Sequence, residues 1–363
     1  METISVAGLV SWLVALAIVR WQHAHAHFTS DDANGVQKFH AWQAARIGGV
    51  AVAGGLAALC GWLAWRSSAE VAAGVSQMLV AGVPVFAAGL AEDVTRRVAP
   101  RWRLIAALVS AALAWWWVGA QVVRTDVPGL DGWLAAPWVS LLFTVVAVGA
   151  VTHAFNVIDG FNGLASMSAA LILAAVGYVA VQVGDWLVLT VALGGIGALL
   201  GFWFWNWPRG VIFLGDGGAY LTGFWVAEAV VLLVVRNNAV SPWFAVMVLA
   251  YPVTELLFSI WRKWRRGRSP MQPDGVHLHM LIFRRLVRWS TEGGEGPVGV
   301  WWRNAMTSPY LWALTVFSLL PAMLWWRSTP VLVGCVVAFV VGYGWMYRAI
   351  VRFRGQRWLR LRG

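Results

Sequence analysis

Two apolar stretches decide the fold: ASMSAALILAAVGYVAVQV, residues 165–183, and WLVLTVALGGIGALLGFWFW, residues 186–205, separated by Gly184 and Asp185. Each has about the 20 residues that an α-helix needs to cross a hydrocarbon core of roughly 30 Å. Neither contains a charged residue. The pair therefore predicts two membrane helices joined by a short turn.

The rest of the chain repeats this pattern. Its 363 residues are 60% hydrophobic and 12% charged, with a mean hydropathy of +0.68, which excludes a pair of soluble domains. We predict an all-α polytopic integral membrane protein that forms a single transmembrane domain over residues 1–363. The first span has neither a basic segment before it nor a small-residue cleavage site after it, so we expect a retained helix. The eleven predicted spans are 3–19, 47–65, 71–91, 103–123, 134–152, 165–183, 186–205, 218–235, 242–261, 309–326 and 330–347.

The basic residues indicate the orientation. If the spans alternate in direction, 23 of the 27 Lys and Arg residues fall on one face, and the opposite face holds only Arg66, Arg124, Arg236 and Arg327. The positive-inside rule makes the basic face cytoplasmic, with a periplasmic N-terminus and a cytoplasmic C-terminus. All seven histidines lie on this face. We therefore expect a site on the cytoplasmic face, a large cytoplasmic loop over 262–308 and a basic cytoplasmic tail over 348–363. The net charge of +11 then indicates contact with membrane lipids and makes nucleic acid an unexpected partner.

Two short segments between spans combine acidic and amide side chains with glycine. In THAFNVIDGFNGLAS, residues 152–166, Asn156, Asp159 and Asn162 are spaced by three, so a helix would place them on one face. In FLGDGG, residues 213–218, Asp216 lies among glycines just before a helix, where a carboxylate can hold Mg²⁺ bound to phosphate oxygens. The alternatives are an ordinary Asn/Asp/Gly turn and a helix cap.

Other polar groups on the same face are candidates for substrate contacts. Glu92 and Asp93 end the third span and precede four arginines, which favours either a base beside anion-binding groups or a solvated helix end. Lys38, His40 and Arg46 form a basic entry to the second span.

The segment 262–286, RKWRRGRSPMQPDGVHLHMLIFRRL, offers His277 and His279 for contacts to a diphosphate. The residues after them suggest an amphipathic helix on the membrane surface, and a purely lipid-anchoring loop is the alternative. Glu228 and Glu255 lie within apolar spans, where an ionisable residue suggests function. A metal site at His23, His25 and His27 is conceivable, but a fourth ligand is not evident from the sequence.

Five collinear segments resemble the polyprenyl-phosphate N-acetylhexosamine-1-phosphate transferase family, whose members include the MraY-type and WecA-type enzymes. They are FH……RIGG (39–49), GLAED (89–93), NVIDGFNGLAS (156–166), FLGDGG (213–218) and DGVHLH (274–279).

The resemblance implies transfer of a sugar 1-phosphate from a UDP-N-acetylhexosamine to undecaprenyl phosphate, with release of UMP, at the bacterial inner membrane. It implies Mg²⁺ as the cofactor, with Mn²⁺ as a substitute, and Asp216 as the metal ligand. Catalytic roles are implied for Glu92, Asp93 and Asp159. Substrate-binding roles are implied for Lys38, His40, Arg46, Asn156, Asn162, Asn206, Phe213, His277 and His279, with Asn206 and Phe213 placed on the uracil.

Two departures from the family pattern matter. Glu92 replaces the first aspartate of the usual pair and moves that carboxylate by about 1.5 Å, enough to affect in-line attack. The histidine segment lacks three consecutive histidines, which favours the WecA-like branch and initiation of cell-envelope glycan or O-antigen synthesis. The MraY-type transferase of phospho-MurNAc-pentapeptide stays an alternative, as does a transporter or flippase of lipid-linked sugars. The sugar and the oligomeric state, including a homodimer, stay open.

Overall fold

A computed structural model of the chain describes residues 2–29, 44–267, 269, 275–287 and 297–352. Over these residues the regular structure is helical, apart from one isolated β-bridge between Ala45 and Ile212, so the predicted all-α class is confirmed. The helices are α1 (Glu2–Arg20), α2 (Gln22–Thr29), α3 (Gly49–Arg66), α4 (Ala69–Ala81), α5 (Val83–Thr95), α6 (Pro100–Trp117), α7 (Asp131–Leu134), α8 (Pro137–Ile158), α9 (Leu164–Val183), α10 (Trp186–Asn206), α11 (Gly215–Arg236), α12 (Pro242–Val248), α13 (Ala250–Arg265), α14 (Leu278–Ile282), α15 (Pro297–Leu324) and α16 (Thr329–Arg352), with a π-helical turn at Phe283–Val287 after α14.

The helices agree with a multi-pass membrane protein. In the described part of the chain, nine helices are long and apolar enough to cross a membrane, with α4 and α5 together forming one span, Ala69–Thr95. A tenth is the pair α12 and α13, bent by 72° around Leu249. The remaining predicted span, 103–123, overlaps α6, which is less apolar because its first turn carries Arg101 and Arg103. Each predicted span thus overlaps a helix or a pair of helices, while the number of spans and the orientation of the termini stay predictions.

Helix α11 is the centre of the bundle. It is the most buried of the candidate spans and packs against α3, α5, α8 and α9. Its first turn reads Gly215–Asp216–Gly217–Gly218, so the neighbouring helices can approach its backbone closely. The start of α11, with Asp216, is therefore enclosed by other helices.

A short pairing of extended segments brings a distant part of the chain to this point. Phe213 N donates to Ala45 O over 2.8 Å, and Gly48 N donates to Phe213 O over 2.9 Å. Gly49 N donates to Leu214 O over 2.8 Å. These bonds hold Arg46 beside the first turn of α11.

The histidine segment packs against other helices. All five residues of α14 are buried, including Met280 and Leu281, and α14 contacts α15 and α16. Its apolar side chains therefore pack inside the protein, and the placement of this segment at the membrane surface stays a prediction. The segments 270–274 and 288–296 of the predicted loop, and residues 353–363 of the predicted tail, lie outside the described residues.

Candidate active site

Asp93 joins the end of α5 to the start of α11. Its Oδ1 accepts a hydrogen bond from Asp216 N over 2.8 Å, and its Oδ2 accepts one from Gly217 N over 2.9 Å. The first amides of a helix have no partner within the helix and attract anions. Only 1% of Asp93 is exposed. Asp93 therefore caps α11 from a neighbouring helix, a role that the sequence did not suggest.

Two glycines make this capping contact possible. A Cβ at Gly89, one turn before Asp93, would collide with the backbone of Gly217. Gly215 has φ +73°, a conformation that a side chain would strain, and a Cβ there would meet the Arg46 carbonyl. The glycines of GLAED and FLGDGG thus let the two acidic segments meet at backbone distance.

Asp216 is surrounded by positive and amide groups. Arg103 Nη1 donates to Asp216 Oδ2, and Asn156 Nδ2 donates to Asp216 Oδ1 over 3.1 Å. Arg46 Nη2 lies 3.9 Å from Asp216 Oδ1 and 3.7 Å from Asp93 Oδ1. The cluster joins α5, α6, α8, α11 and the segment before α3. It therefore brings the carboxylates of Asp93 and Asp216 together with two guanidinium groups, an arrangement suited to a bound anion and a cation together.

Asp159 directly follows α8 and is partly exposed. Desolvation, reinforced by the carboxylates of Asp216 and Asp93, raises the pKa of Asp159 to about 8. A carboxyl group with this pKa exchanges a proton near neutral pH, as a general base or acid must. Its raised pKa and partial exposure therefore suit Asp159 to proton transfer.

Glu92 points away from Asp93. Its Oε2 accepts a hydrogen bond from Val98 N over 2.8 Å, within the connection between α5 and α6. The two adjacent acids therefore have separate contacts: Glu92 holds the connection that leads to Arg103, and Asp93 holds α11.

The amide side chains of Asn162 and Asn206 bind loop backbone. Asn206 Oδ1 accepts from Gly163 N over 2.5 Å, and Asn206 Nδ2 donates to Ile212 O over 2.7 Å. Asn162 Nδ2 donates to Pro208 O over 3.0 Å. Phe213 lies between these loops and the segment 44–49, through its backbone pairing with Ala45 and Gly48. These residues fix the relative position of the segments that carry Asp159 and Asp216.

The histidine pair lies in the same region. The rings of His277 and His279 stack with centroids 5.3 Å apart. His279 lies against Gly160, since a Cβ at that glycine would be 2.9 Å from His279 Nε2. The pair is therefore adjacent to the residue that follows Asp159. Lys38 and His40 lie outside the described residues.

Three side chains join the site without having been singled out as site residues. Arg103 is the one member of the arginine group after Asp93 that contacts Asp216 in the described structure, and sequence offers no signal that separates it from Arg96, Arg97 or Arg101. The Tyr220 hydroxyl donates to Asn156 Oδ1 over 3.4 Å. His153, one turn before Asn156 on α8, lies with its ring centroid 5.1 Å from that of Tyr220.

The donor set bears on the metal that the sequence predicted. Among the described residues, no group of three or more His, Cys, Asp and Glu side chains is arranged to hold a metal ion. Mg²⁺ usually takes one or two carboxylates and completes its shell with water and substrate phosphates. Asp216, which is partly exposed and has the Asn156 amide beside it, fits such a site only when a phosphate ligand is also bound.

Fold and site together define a multi-pass helical membrane protein with an acidic and arginine-rich site at one end of the bundle. Residues 75–234 match the model of glycosyl transferase family 4, and this region contains GLAED, NVIDGFNGLAS and FLGDGG. Over residues 75–234 the chain is therefore similar to that family, and the resemblance predicted from the motifs is confirmed for this region.

Curated proteins with similar sequences are transferases of N-acetylglucosamine phosphate. The decaprenyl-phosphate N-acetylglucosaminephosphotransferase of Mycobacterium tuberculosis strain H37Rv is 30% identical over 245 residues, 58% of this chain and 57% of that protein. The counterpart from Mycolicibacterium smegmatis is 29% identical over 273 residues, 66% of this chain and 61% of that protein. The undecaprenyl-phosphate α-N-acetylglucosaminyl 1-phosphate transferase of Yersinia pestis is 30% identical over 160 residues, 41% of this chain and 44% of that protein. The chain thus spans less than two thirds of the length of the curated relatives it matches.

Proposed function

We propose that this protein transfers an N-acetylhexosamine 1-phosphate from a UDP-sugar to undecaprenyl phosphate, giving undecaprenyl-diphospho-sugar and UMP. The observation that carries the proposal is the cluster of Asp216, Arg103, Arg46 and Asn156 at the capped start of α11. The names of the relatives support the same reaction class and make N-acetylglucosamine the first sugar to test.

The reaction joins two phosphate groups. A phosphate oxygen of the lipid attacks the β-phosphorus of the UDP-sugar, forming a new P–O bond. The bond between that phosphorus and the bridging oxygen breaks, and UMP leaves with the oxygen. Arg46 and Arg103 would bind the negative charge of the diphosphate, and Asp159 would orient the acceptor phosphate or take its remaining proton.

The proposed cofactor is Mg²⁺, with Mn²⁺ as a substitute. Asp216, beside the Asn156 amide, would hold the ion together with phosphate oxygens of the donor. When bound, such an ion neutralises negative charge on the diphosphate. Arg103, which pairs with Asp216 in the structure, would then be released to contact the substrate.

An apolar groove supports a polyprenyl acceptor. It has a volume of about 440 Å³ and lies between α8, α11 and the bent pair α12 and α13. Val151, Val231 and Leu249 line it, and Val151 lies on α8 five residues before Asn156. An isoprenoid chain in this groove would be buried among apolar side chains, with its phosphate directed toward the polar cluster.

The basic residues support the cytoplasmic face of the inner membrane as the location, and initiation of a cell-envelope glycan is the proposed role.

The test compares two acidic residues at different ends of the bundle. Membranes containing Asp216→Ala, given labelled UDP-N-acetylglucosamine and undecaprenyl phosphate, should release no UMP above background. Glu70→Gln is the matched control, because the Glu70 side chain is 78% exposed and pairs, at 3.7 Å, with Arg236 at the opposite end of α11 from Asp216. It should retain wild-type release. Wild-type turnover by Asp216→Ala would overturn the role of Asp216.

Transport of a lipid-linked sugar is the rival function, and the 72° bend between α12 and α13 is the observation that favours it. The two functions differ in detergent, where a transporter has no gradient or second compartment. Acceptor-dependent UMP release by the solubilised protein supports the transferase. Vectorial movement of lipid-linked sugar by proteoliposomes that release no UMP would support the transporter.

A further inference from the structure

Glu255 is a buried carboxylate in the middle of the bent pair of helices. It lies on α13, and its exposed fraction is 0%. Its Oε1 accepts hydrogen bonds from His277 Nδ1 over 2.9 Å and from Leu278 N over 3.2 Å. Its Oε2 accepts one from the Tyr343 hydroxyl over 2.6 Å. Three donors satisfy a group whose burial would otherwise be costly.

The last helix fixes the same segment a second time. The Tyr347 hydroxyl, one turn after Tyr343 on α16, donates to Val276 O over 2.9 Å. It also accepts from Arg262 Nη1 over 3.1 Å. Residues 276–278 are therefore held between α13 and α16 by side chains that lie outside the Asp216 cluster.

The contacts with Glu255 determine how the His277 ring is turned. Since Nδ1 faces the carboxylate, Nδ1 carries a hydrogen and Nε2 occupies the opposite edge of the ring. The ring stacks on His279 at an interplanar angle of 10°, and His279 lies against Gly160, next to Asp159. A continuous set of contacts thus leads from Glu255 through both histidines to the candidate active site.

We propose that Glu255 is a positioning residue for His277. It turns the ring so that Nε2–H donates to a phosphate oxygen of a nucleoside diphosphate donor, and its negative charge balances the positive charge of His277 during binding. Tyr343 holds the carboxylate in place. The inference rests on the proposed function and deepens it, because it assigns the histidine pair to the diphosphate and gives Glu255 a role without contact to substrate.

A double-mutant cycle on the full-length protein tests this role. Glu255→Gln keeps the shape and an oxygen that accepts from His277 and Leu278, but removes the charge. We expect kcat/KM for UDP-N-acetylglucosamine to fall about tenfold, mainly through KM, as for loss of one charge-assisted hydrogen bond. The His277→Ala variant should show a larger fall in kcat/KM. The kcat/KM of the double variant should match that of His277→Ala within about twofold. A purely structural role would instead multiply the two losses.

Tyrosine variants supply the matched controls. Tyr343→Phe removes one hydrogen-bond donor to Glu255. It should raise KM, as Glu255→Gln does, but by a smaller factor. Tyr251→Phe, on the same helix as Glu255, removes a buried hydroxyl that has no hydrogen-bond partner among the described residues and should leave KM unchanged. If Glu255→Gln fails to fold, the cycle of Tyr343→Phe with His277→Ala tests the same coupling.

The outcomes separate this inference from the proposed function. If the wild-type protein releases no UMP from any UDP-sugar, the proposed function fails. The double-mutant cycle is then repeated with the affinity of each variant for UDP, measured by calorimetry, in place of kcat/KM. Non-additive losses in either readout support positioning by Glu255. Wild-type behaviour of Glu255→Gln, or losses that multiply in the double variant, would overturn it.

Discussion

Arg103 and Asp216, which are separated by 113 positions in the sequence, form an ion pair at the centre of the candidate active site. Arg103 lies in the first turn of α6 and Asp216 in the first turn of α11. The pair places a permanent positive charge against the carboxylate that is proposed to hold Mg²⁺. Metal binding and release of Arg103 are therefore expected to be coupled.

The first prediction concerns this arginine. Arg103→Ala should reduce kcat/KM by about 100-fold, because the site loses a charge that would bind the diphosphate. Arg101→Ala is the control, since Arg101 lies two residues away, is exposed, and contacts Trp102 with its guanidinium carbon 5.7 Å from the ring centroid. UMP release at several donor concentrations measures both variants. Equal losses in the two variants would contradict a specific role for Arg103.

The second prediction separates capping from catalysis at Asp93. Asp93→Ala removes both acceptors from the first amides of α11 and should lower the free energy of unfolding by about 1–2 kcal/mol, as for loss of a helix cap. Thermal unfolding in detergent measures the change. Glu92→Ala should lower the free energy of unfolding by less than Asp93→Ala does, because Glu92 accepts one hydrogen bond, at a partly exposed connection between α5 and α6. An unchanged melting temperature for Asp93→Ala would contradict the capping role.

The third prediction uses two glycines in helices. Gly89→Ala should destabilise the protein and abolish activity, because its Cβ would collide with the backbone of Gly217. A Cβ at Gly61 on α3 would have no described atom within 4 Å. Gly61→Ala should therefore leave the stability unchanged or raise it slightly, since alanine favours the helix over glycine by about 1 kcal/mol. Expression level and thermal unfolding compare the two. A tolerated Gly89→Ala would contradict the close contact of α5 with α11.

The fourth prediction follows from Asp159. Desolvation, with the nearby carboxylates of Asp216 and Asp93, raises the pKa of this carboxyl to about 8, well above the value of an unfolded aspartate. The folded state therefore binds the proton more tightly, and the corresponding stability is lost as pH rises from about 4 to about 8. Without added metal, Asp159→Asn should remove this loss, so that its advantage over wild type grows with pH across this range. Parallel curves for the two proteins in thermal unfolding would contradict the raised pKa.

The fifth prediction concerns the apolar groove. Val246 lines the groove and is 44% exposed, so Val246→Trp can fill the space without disturbing the core. It should raise KM for undecaprenyl phosphate and leave KM for the UDP-sugar unchanged. Val181→Trp is the control, because Val181 is 58% exposed on α9 and does not line the groove. A change in the donor KM alone would contradict acceptor binding in the groove.

Much of the fold follows from the sequence because membrane helices are long, apolar and continuous. The predicted spans coincide with helices, and the helix class needs no tertiary information. The bend at Leu249 and the burial of α14 depend on packing between distant helices, which periodicity does not report. The burial of Met280 and Leu281 inside the protein overrides their amphipathic pattern.

The sequence predicts which segments form the site, but it does not predict most of the contacts between their side chains. The motifs identify Asp216, Asn156 and Asp159 as neighbours, and the structure brings the first two into contact. Sequence does not distinguish Asp93 as a cap from Glu92, because the difference depends on which side of α5 faces α11. It also does not select Arg103 or connect Glu255 to His277, since these partners meet only through tertiary packing.

The most direct test of the proposed function is product stoichiometry with purified protein in detergent. The protein is given UDP-N-acetylglucosamine, undecaprenyl phosphate and Mg²⁺, and UMP and lipid-linked sugar are quantified together. We predict equal molar amounts of the two products, strict dependence on the lipid acceptor, loss of both in Asp216→Ala, and retention of both in Glu70→Gln. Failure to form either product with any UDP-N-acetylhexosamine, or UMP release that does not require the acceptor, would contradict the account.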